Sequence, residues 1–319
     1  MHSHHSHSGD YVSHAVDSLE SIVQLASQKG FTIFCLTEHM PRLNSQFLYP
    51  EELAKSYSPI ELNEDFHNYL KHAKKLKEEY NGNGALKLLV GFEVEGIDDA
   101  HIDLANSIIK NDSAINMCVG SVHHVHSIPI DFDRETWVKA RSFTKEGTTR
   151  ALYRDYFQLQ YKIITRIKPS VVGHFDLIRL FEDPEEIDVT TNKKIKDIVL
   201  KDDWPEVWTL IINNIQEINS YGGLIEVNSA AIRKGWKTPY PKKDIGTEIL
   251  KLGGKFCLSD DSHGLKQIGL NFHKAWIYLR DDLKAEFIYH LDLDDNDKTI
   301  VVKESIDHLD KSTFWEQYH

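Results

Sequence analysis

Short apolar runs alternate with longer amphipathic segments along most of this chain. Apolar positions spaced three and four residues apart predict helices, at residues 17–28, 62–80, 100–110, 152–167, 206–220 and 241–252. Short uninterrupted apolar runs between them predict buried strands, at residues 31–36, 86–90, 117–121, 170–173, 224–228 and 256–259. A short first strand near His5 brings the number of strand–helix units to seven. Asp17 is the predicted N-cap of the first helix.

This alternation favours a parallel α/β sheet. Seven units with polar clusters at the strand ends favour a closed TIM-like barrel over an open doubly wound sheet, which gathers its site at one switch point. Because about 250 residues is typical of such a barrel, one domain over residues 1–319 is expected. Two long loops are predicted to cover the substrate, and a C-terminal extension at about 276–319 is predicted to add short strands. The loops are residues 40–60 and 126–150, and the strands 276–280, 287–291 and 299–303.

The residues that follow the strands are almost all of metal-ligand type. They are His5, His7, Glu38, His39, Glu93, His123, His174, Asp261 and His263. Side chains two residues apart on a strand face the same side, so His5 with His7, and Asp261 with His263, can each bind one metal. A single histidine is more often a hydrogen-bonded packing residue. The joint pattern predicts clustered metals at the C-terminal rim of the strands, and nitrogen and carboxylate ligands suit zinc, manganese or iron.

Clustered metals with open positions are typical of hydrolysis, and the charge of a phosphate monoester makes it a natural substrate. Arginine would complete the phosphate site. Arg233 is the favoured candidate because it lies five residues beyond a strand end that presents Glu226 and Asn228, whereas Arg42 and Arg179 are weaker candidates. Asn228 is a further candidate substrate contact. The chain has 319 residues and a formal net charge of −12, which opposes nucleic-acid binding.

The remaining composition is that of an ordinary cytoplasmic protein. Cys35, Cys118 and Cys257 lie in strand-like apolar runs, where buried reduced thiols are expected. No secretion signal or membrane-spanning run is recognisable. An affinity tag would not explain the histidines beyond the first residues. Seven other histidines are interpreted as surface or packing residues: His67, His72, His101, His273, His290, His308 and His319.

Several motifs together resemble one family. His-Ser-His-Ser, Leu-Thr-Glu-His, Gly-Phe-Glu, Gly-Ser-Val-His-His, Gly-His-Phe-Asp-Leu, Glu-Val-Asn-Ser-Ala-Ala-Ile-Arg-Lys and Ser-Asp-Asp-Ser-His-Gly occur in order from His2 to past Gly269. The chain thereby resembles the polymerase-and-histidinol-phosphatase (PHP) family, and its fungal branch most closely. This resemblance implies a distorted seven-stranded β/α barrel with three divalent metal ions. It also implies hydrolysis of L-histidinol phosphate in histidine biosynthesis.

The resemblance further implies how the ligands divide. One metal would take His5, His7, Glu93 and Asp261, a second Glu93, His123 and His174, and a third His14, His39 and His263. Asp261, His263 and His123 are the candidate catalytic residues, and Arg233 the candidate phosphate contact. Glu95 or Asp131 could pair with the substrate amine. Two departures are the spacing from His7 to His14, which is one residue longer than in bacterial members, and Glu38, where many relatives have Asp.

Two other functions stay open at this point. A related metallophosphoesterase would act on nucleotides or oligonucleotides, although the chain has no basic track with interleaved aromatic residues. A metal-buffering protein would use the histidine-rich start instead. The sequence does not determine the oligomeric state.

Overall fold

A computed structural model describes residues 1–84 and 86–318. Its strands are β1 (His2–Ser3), β2 (Ile33–Leu36), β3 (Lys87–Glu95), β4 (Met117–Ser121), β5 (His124–Val125), β6 (Ile128–Pro129), β7 (Val171–Val172), β8 (Leu224–Asn228), β9 (Phe256–Ser259), β10 (Phe287–Leu293) and β11 (Thr299–Ser305). Its α-helices are α1 (Leu19–Gln28), α2 (Pro50–Ala54), α3 (Pro59–Asn83), α4 (Asp99–Asn111), α5 (Arg134–Ser142), α6 (Thr149–Ile167), α7 (Leu200–Asp203), α8 (Pro205–Tyr221), α9 (Ala230–Arg233), α10 (Lys243–Lys251), α11 (Phe272–Ile277) and α12 (Ile306–Leu309).

Seven parallel strands form the central sheet in the order β1-β2-β3-β4-β7-β8-β9. The two edge strands approach each other through a parallel bridge between Ser6 and Ser262, and the His7 N–H donates to the Ser262 carbonyl at 2.8 Å. The sheet is therefore a nearly closed barrel, which confirms the predicted TIM-like fold. None of the helices in the described residues is both long and apolar enough to cross a bilayer.

The strands are buried because helices cover the barrel's outside and side chains fill its inside. Every residue of β2, β4, β8 and β9 is buried, as the uninterrupted apolar runs predicted. Cys35, Cys118 and Cys257 are buried free thiols, as expected. The carboxyl ends of these strands all meet at one rim, where β3 carries Glu93 and Glu95.

Four local predictions are wrong. Ser18, not Asp17, caps α1, because its side chain accepts the Ser21 N–H. The predicted strand at 276–280 is helical, formed by the end of α11 and a π-helix at Tyr278–Asp282. The predicted loop at 40–60 contains α2, which begins at Pro50, and the start of α3. The predicted loop at 126–150 contains β6 and α5, which Asp133 caps by accepting the Thr136 N–H.

A C-terminal hairpin covers the other end of the barrel from the rim. β10 and β11 pair antiparallel, which confirms the predicted strands at 287–291 and 299–303. Leu291 and Leu293 pack with strand residues such as Cys35 and Leu89. His4 joins this hairpin to the barrel, because one ring nitrogen accepts the Leu291 N–H at 3.0 Å and the other donates to the Leu258 carbonyl at 3.0 Å.

His4 therefore has a structural role that a variant can test. Burial lowers its pKa to about 4, so the ring is neutral at pH 7. We expect His4→Leu to lower the free energy of unfolding by about 1–3 kcal/mol, because the Leu291 N–H loses its partner in a buried place. Urea denaturation of the metal-loaded protein measures this. Metal content should not change, whereas a matching loss of metal would support the metal-buffering hypothesis.

Candidate metal centre

Glu93 lies at the centre of the histidine cluster at the rim, and it is 1% exposed. Its Oε2 atom lies 3.2 Å from His5 Nε2, 3.4 Å from His7 Nε2 and 3.1 Å from His39 Nδ1. Its Oε1 atom lies 3.2 Å from His123 Nε2 and 3.2 Å from His174 Nε2. Each oxygen of this carboxylate thus faces a different group of imidazoles, which is the arrangement of a bridging ligand.

Asp261, which follows the last barrel strand β9, lies beside the first group of imidazoles. Its Oδ1 atom lies 3.7 Å from His5 Nε2 and 3.4 Å from His7 Nε2. The Asp261 backbone has a φ of 48°, in the left-handed region that L-residues rarely adopt. Arg233 stabilises this turn, since its guanidinium donates to the carbonyls of Asp260 at 3.2 Å and Asp261 at 3.0 Å. Such local strain is typical of functional sites.

His14, His39 and His263 lie together at the outer side of the cluster. The ring of His14 is 5.5 Å from that of His39 and 4.9 Å from that of His263, between centroids. The segment that carries His14 is attached to the last ligand loop, because the Val16 N–H donates to the His263 carbonyl at 2.9 Å. Burial lowers the pKa of His14 to about 3, so its imidazole is neutral at pH 7, the form that binds metals.

The electrostatics of the cluster fit bound cations. Burial alone would oppose the ionisation of Glu93, yet His5, His123 and His39 hold its pKa well below the usual range. Burial likewise opposes protonation of His7, but the neighbouring carboxylates of Asp261, Glu38 and Glu93 raise its pKa to about 10. Within the described residues, His5 Nε2, His7 Nε2 and His39 Nδ1 are buried without a hydrogen-bond partner. Divalent ions would satisfy these nitrogens and the negative charge together.

Four overlapping groups of side chains have ligand atoms within 4.8 Å of one another at the rim. They are His5, His7 and Asp261; His7, His39 and His263; Glu93, His123 and His174; and His39, Glu95 and His123. The structure thus brings together all nine predicted ligand side chains, with His14 joined through its ring neighbours. Glu95 also enters this cluster, because it lies 3.2 Å from His39 and 3.3 Å from His123.

Glu226 is a site residue that the sequence interpretation named only as a strand-end residue, without a role. It is fully buried on β8 and accepts hydrogen bonds from His5 Nδ1 at 3.2 Å and the His174 N–H at 2.6 Å. Ser259 and Asn228 donate to it as well, at 2.5 Å and 2.6 Å. A carboxylate on the opposite nitrogen of an imidazole fixes its tautomer and strengthens it as a ligand. A glutamate inside an apolar strand was the available signal.

We expect Glu226→Gln to reduce kcat by about 10- to 100-fold, because the amide no longer offers acceptor oxygens to both His5 Nδ1 and the His174 backbone N–H. Steady-state turnover and metal content, measured on the same samples, test this. Glu217→Gln on the exterior helix α8 is a matched control and should have no effect. Unchanged turnover in Glu226→Gln would contradict a positioning role.

Three predicted substrate contacts lie away from the open cavity beside the cluster. Arg42 is 2% exposed and pairs with Glu52 and with Glu95, the latter at 2.8 Å. Arg179 pairs with Asp244 at 2.9 Å. Asn228 is buried, where it donates to Glu226 and accepts the Ala230 N–H. This geometry engages all three with protein partners and does not favour them as phosphate contacts.

The cavity opens directly onto the cluster and has a volume of about 350 Å³. Its walls include ligand-type residues and a second set of charged, aromatic and amide side chains. This second set is Tyr49, Glu51, Asp131, Phe132, Arg233, Lys234 and Gln267. The predicted phosphate contact Arg233 is therefore beside Asp261, at the edge of both the cluster and the cavity.

The histidines outside the cluster have other surroundings. His2 accepts the Leu258 N–H, and burial holds the pKa of His2 well below its usual range. His101 and His290 are buried, which agrees with a packing role. His72 donates to or accepts from Tyr11, at 2.9 Å. The prediction for His319 lies outside the described residues.

The fold and this cluster together define a metal-dependent hydrolase built on a β/α barrel. The model of the PHP domain matches residues 3–230. The histidinol-phosphatase of Saccharomyces cerevisiae is 40% identical to this chain over 309 residues, covering 92% of each chain. A Schizosaccharomyces pombe protein named "Probable histidinol-phosphatase" is 42% identical over 277 residues, covering 87% of this chain and 85% of that one. The chain therefore belongs to the PHP family, beside the fungal histidinol-phosphatases.

Solved structures agree on the fold. The histidinol phosphate phosphatase of Lactococcus lactis, solved with zinc, L-histidinol and phosphate, has a TM-score of 0.58 at 19% identity, covering 89% of this chain and 92% of that chain. A Listeria monocytogenes structure has a TM-score of 0.66 at 23% identity, covering 86% and 99%. At these identities the likeness concerns the barrel itself.

Proposed function

We propose that this protein is a metal-dependent phosphomonoesterase that hydrolyses L-histidinol phosphate to L-histidinol and phosphate, in histidine biosynthesis. The observation that carries the proposal is the position of Glu93 among five imidazoles, at the rim beside a cavity that also contains Arg233. Identity of 40% over 92% of a curated histidinol-phosphatase supports the choice of substrate.

We propose three divalent ions, zinc, manganese or iron, at this centre. The donor set supports this number, because Glu93 faces two groups of imidazoles and a third group, His7, His39 and His263, lies beside them. The proposed ligands are His5, His7, Glu93 and Asp261 for one ion, Glu93, His123 and His174 for the second, and His14, His39 and His263 for the third. When bound, such ions would lower the pKa of a water molecule and neutralise phosphoryl oxygens.

The chain's own residues position the substrate for this chemistry. Arg233 reaches the cavity with a guanidinium that forms no ion pair in the described residues, so it can donate hydrogen bonds to a phosphoryl oxygen. Asp261, His263 and His123 are the proposed catalytic residues because they line the cavity as well as the cluster. Glu226 accepts a hydrogen bond from His5 Nδ1 and so keeps this ring in a fixed orientation.

We also propose one barrel domain over residues 1–319 that works in the cytoplasm, without nucleic-acid or membrane partners. The C-terminal hairpin supports a single unit, since Thr299 donates to the Asn116 carbonyl and Lys87 pairs with Asp292. The net charge of −12 and the carboxylates in the cavity oppose a polyanionic substrate, so nucleotides and oligonucleotides are the weaker alternative.

Phosphate release tests the proposal. We expect the metal-loaded protein to hydrolyse L-histidinol phosphate with a kcat/KM at least about 100-fold above that for a generic phosphomonoester, because only the former fills the whole cavity. A single-stranded oligonucleotide is the third substrate. Faster cleavage of the oligonucleotide, or equal rates on both monoesters, would overturn the proposed substrate and leave the metal centre standing.

A further inference from the structure

The cavity beside the metal-ligand cluster carries opposite charges on different walls. Arg233 and Lys234 come from the end of α9, directly after β8. Glu51 comes from α2, in the segment after β2, and Asp131 follows the small hairpin after β4. In the barrel order, β2 and β4 flank β3, whereas β8 lies two strands beyond β4. The carboxylates and the cations therefore reach the cavity from different parts of the barrel rim.

These two carboxylates have no partners of their own. Within residues 1–84 and 86–318, no hydrogen bond or ion pair engages the side chain of Glu51 or Asp131. The neighbouring acid Glu52 is different, because it accepts the Tyr49 N–H and pairs with Arg42. Two partly exposed carboxylates without a protein partner in a cavity are available to bind a cationic ligand.

Aromatic rings border the same carboxylates. Phe132, directly after Asp131, is 42% exposed although it is large and apolar, and it lines the cavity with Tyr49. Burial raises the pKa of Tyr49 well above its usual range, with further contributions from Glu95 and Asp131, so the Asp131 charge acts at this ring. A cation between a carboxylate and an aromatic face gains from both.

We infer that Asp131, assisted by Glu51, determines substrate specificity by binding the cationic end of a phosphomonoester whose phosphate lies toward Arg233. This inference rests on the proposed function, since L-histidinol phosphate has an ammonium group and an imidazole remote from its phosphate. The cavity walls hold both kinds of group that this molecule needs: the cations Arg233 and Lys234 for its phosphate, and carboxylates with aromatic rings for its cationic end.

Glu95, predicted as a partner of the substrate amine, is already engaged. It is fully buried, and its two oxygens contact Arg42 at 2.8 Å, His39 at 3.2 Å and His123 at 3.3 Å. It does not line the cavity. Its place among the metal-ligand imidazoles leaves Asp131 and Glu51 as the acids that face a bound substrate.

The test compares two substrates with the same leaving group. L-histidinol phosphate and 3-phenylpropyl phosphate both release a primary alkoxide, but only the first carries cationic groups. We expect Asp131→Asn to lower kcat/KM for L-histidinol phosphate by about 10- to 100-fold at pH 7, and to leave that for 3-phenylpropyl phosphate within about twofold. The double variant with Glu51→Gln should lose more on the first substrate alone.

Glu135→Gln is the matched control, because it removes one charge from the exposed first turn of α5 nearby without touching the cavity. Metal content and thermal midpoint of each variant are measured in parallel, and calorimetry of L-histidinol binding gives a readout without turnover. Weaker L-histidinol binding in Asp131→Asn, with unchanged binding in Glu135→Gln, would support the inference. Equal losses on both substrates, or no loss on either, would overturn it. A wild-type protein without preference for L-histidinol phosphate would instead overturn the proposed function.

Discussion

Replacing Glu93 by glutamine should reduce kcat/KM for L-histidinol phosphate by at least about 1,000-fold. Glu93 contacts five imidazoles with its two oxygens, so the neutral amide removes the charge that both groups share. Loss of the proposed bridging ligand removes several kcal/mol of transition-state stabilisation, and about 1.4 kcal/mol corresponds to each factor of ten. The protein should stay folded, because glutamine has nearly the same shape.

Turnover and metal content of the purified variant measure this effect. Glu38→Gln is the matched comparison, because Glu38 supports a ligand: it accepts hydrogen bonds from Ser8 and lies 3.5 Å from His7 Nδ1. This substitution should lower kcat/KM by about 10- to 100-fold. His123→Ala and Asp261→Ala should resemble Glu93→Gln. Near-normal turnover in those variants would contradict a metal centre at this rim.

Removing the metals should abolish turnover and lower the thermal midpoint by several degrees. Ligands that bind only the folded state stabilise it by about 4 kcal/mol at 1,000 times their Kd. Without metal ions the charges of the buried Glu93 and Asp261 are balanced mainly by protonated imidazoles such as that of His7. Both activity and midpoint should return when zinc or manganese is added back.

Differential scanning calorimetry and phosphate release before and after chelation measure this. The same chelator already saturated with the metal is the control for nonspecific effects. Full turnover in protein that elemental analysis finds free of metal would refute metal-dependent hydrolysis here. A midpoint that does not move on chelation would show that the ions contribute nothing to stability.

The barrel was predictable because its strands are apolar runs of four or five residues between amphipathic helices. β4, β8 and β9 have the predicted bounds. The helical structure of the segment at 276–280 was not predictable, because a short apolar run does not distinguish a strand from a buried helix. There Trp276 packs on Trp315, at 4.9 Å between ring centroids, and this tertiary contact accompanies a helical backbone.

The cluster was predictable in membership, whereas its supporting contacts were not. His5 and His39 follow strand ends and Glu93 lies near the carboxyl end of β3, and parallel strands bring such residues to one rim. The partners of Glu95 and Arg42 depend on how the segment after β2 folds back, and nothing in its spacing specifies that path. The roles of the nine side chains as ligands, and of Arg233 as a phosphate contact, stay predictions.

Closure of the barrel between its first and last strands has a consequence during synthesis. Ser3 donates to Asp260, 257 residues further along the chain, and Asp261 faces His5 and His7 across the same seam. On a nascent chain, the two histidines leave the ribosome first, whereas the Asp261 carboxylate is synthesised near the end of translation. The proposed metal centre therefore matures late, and a chain truncated before residue 261 would display histidines without the ligand that completes their site.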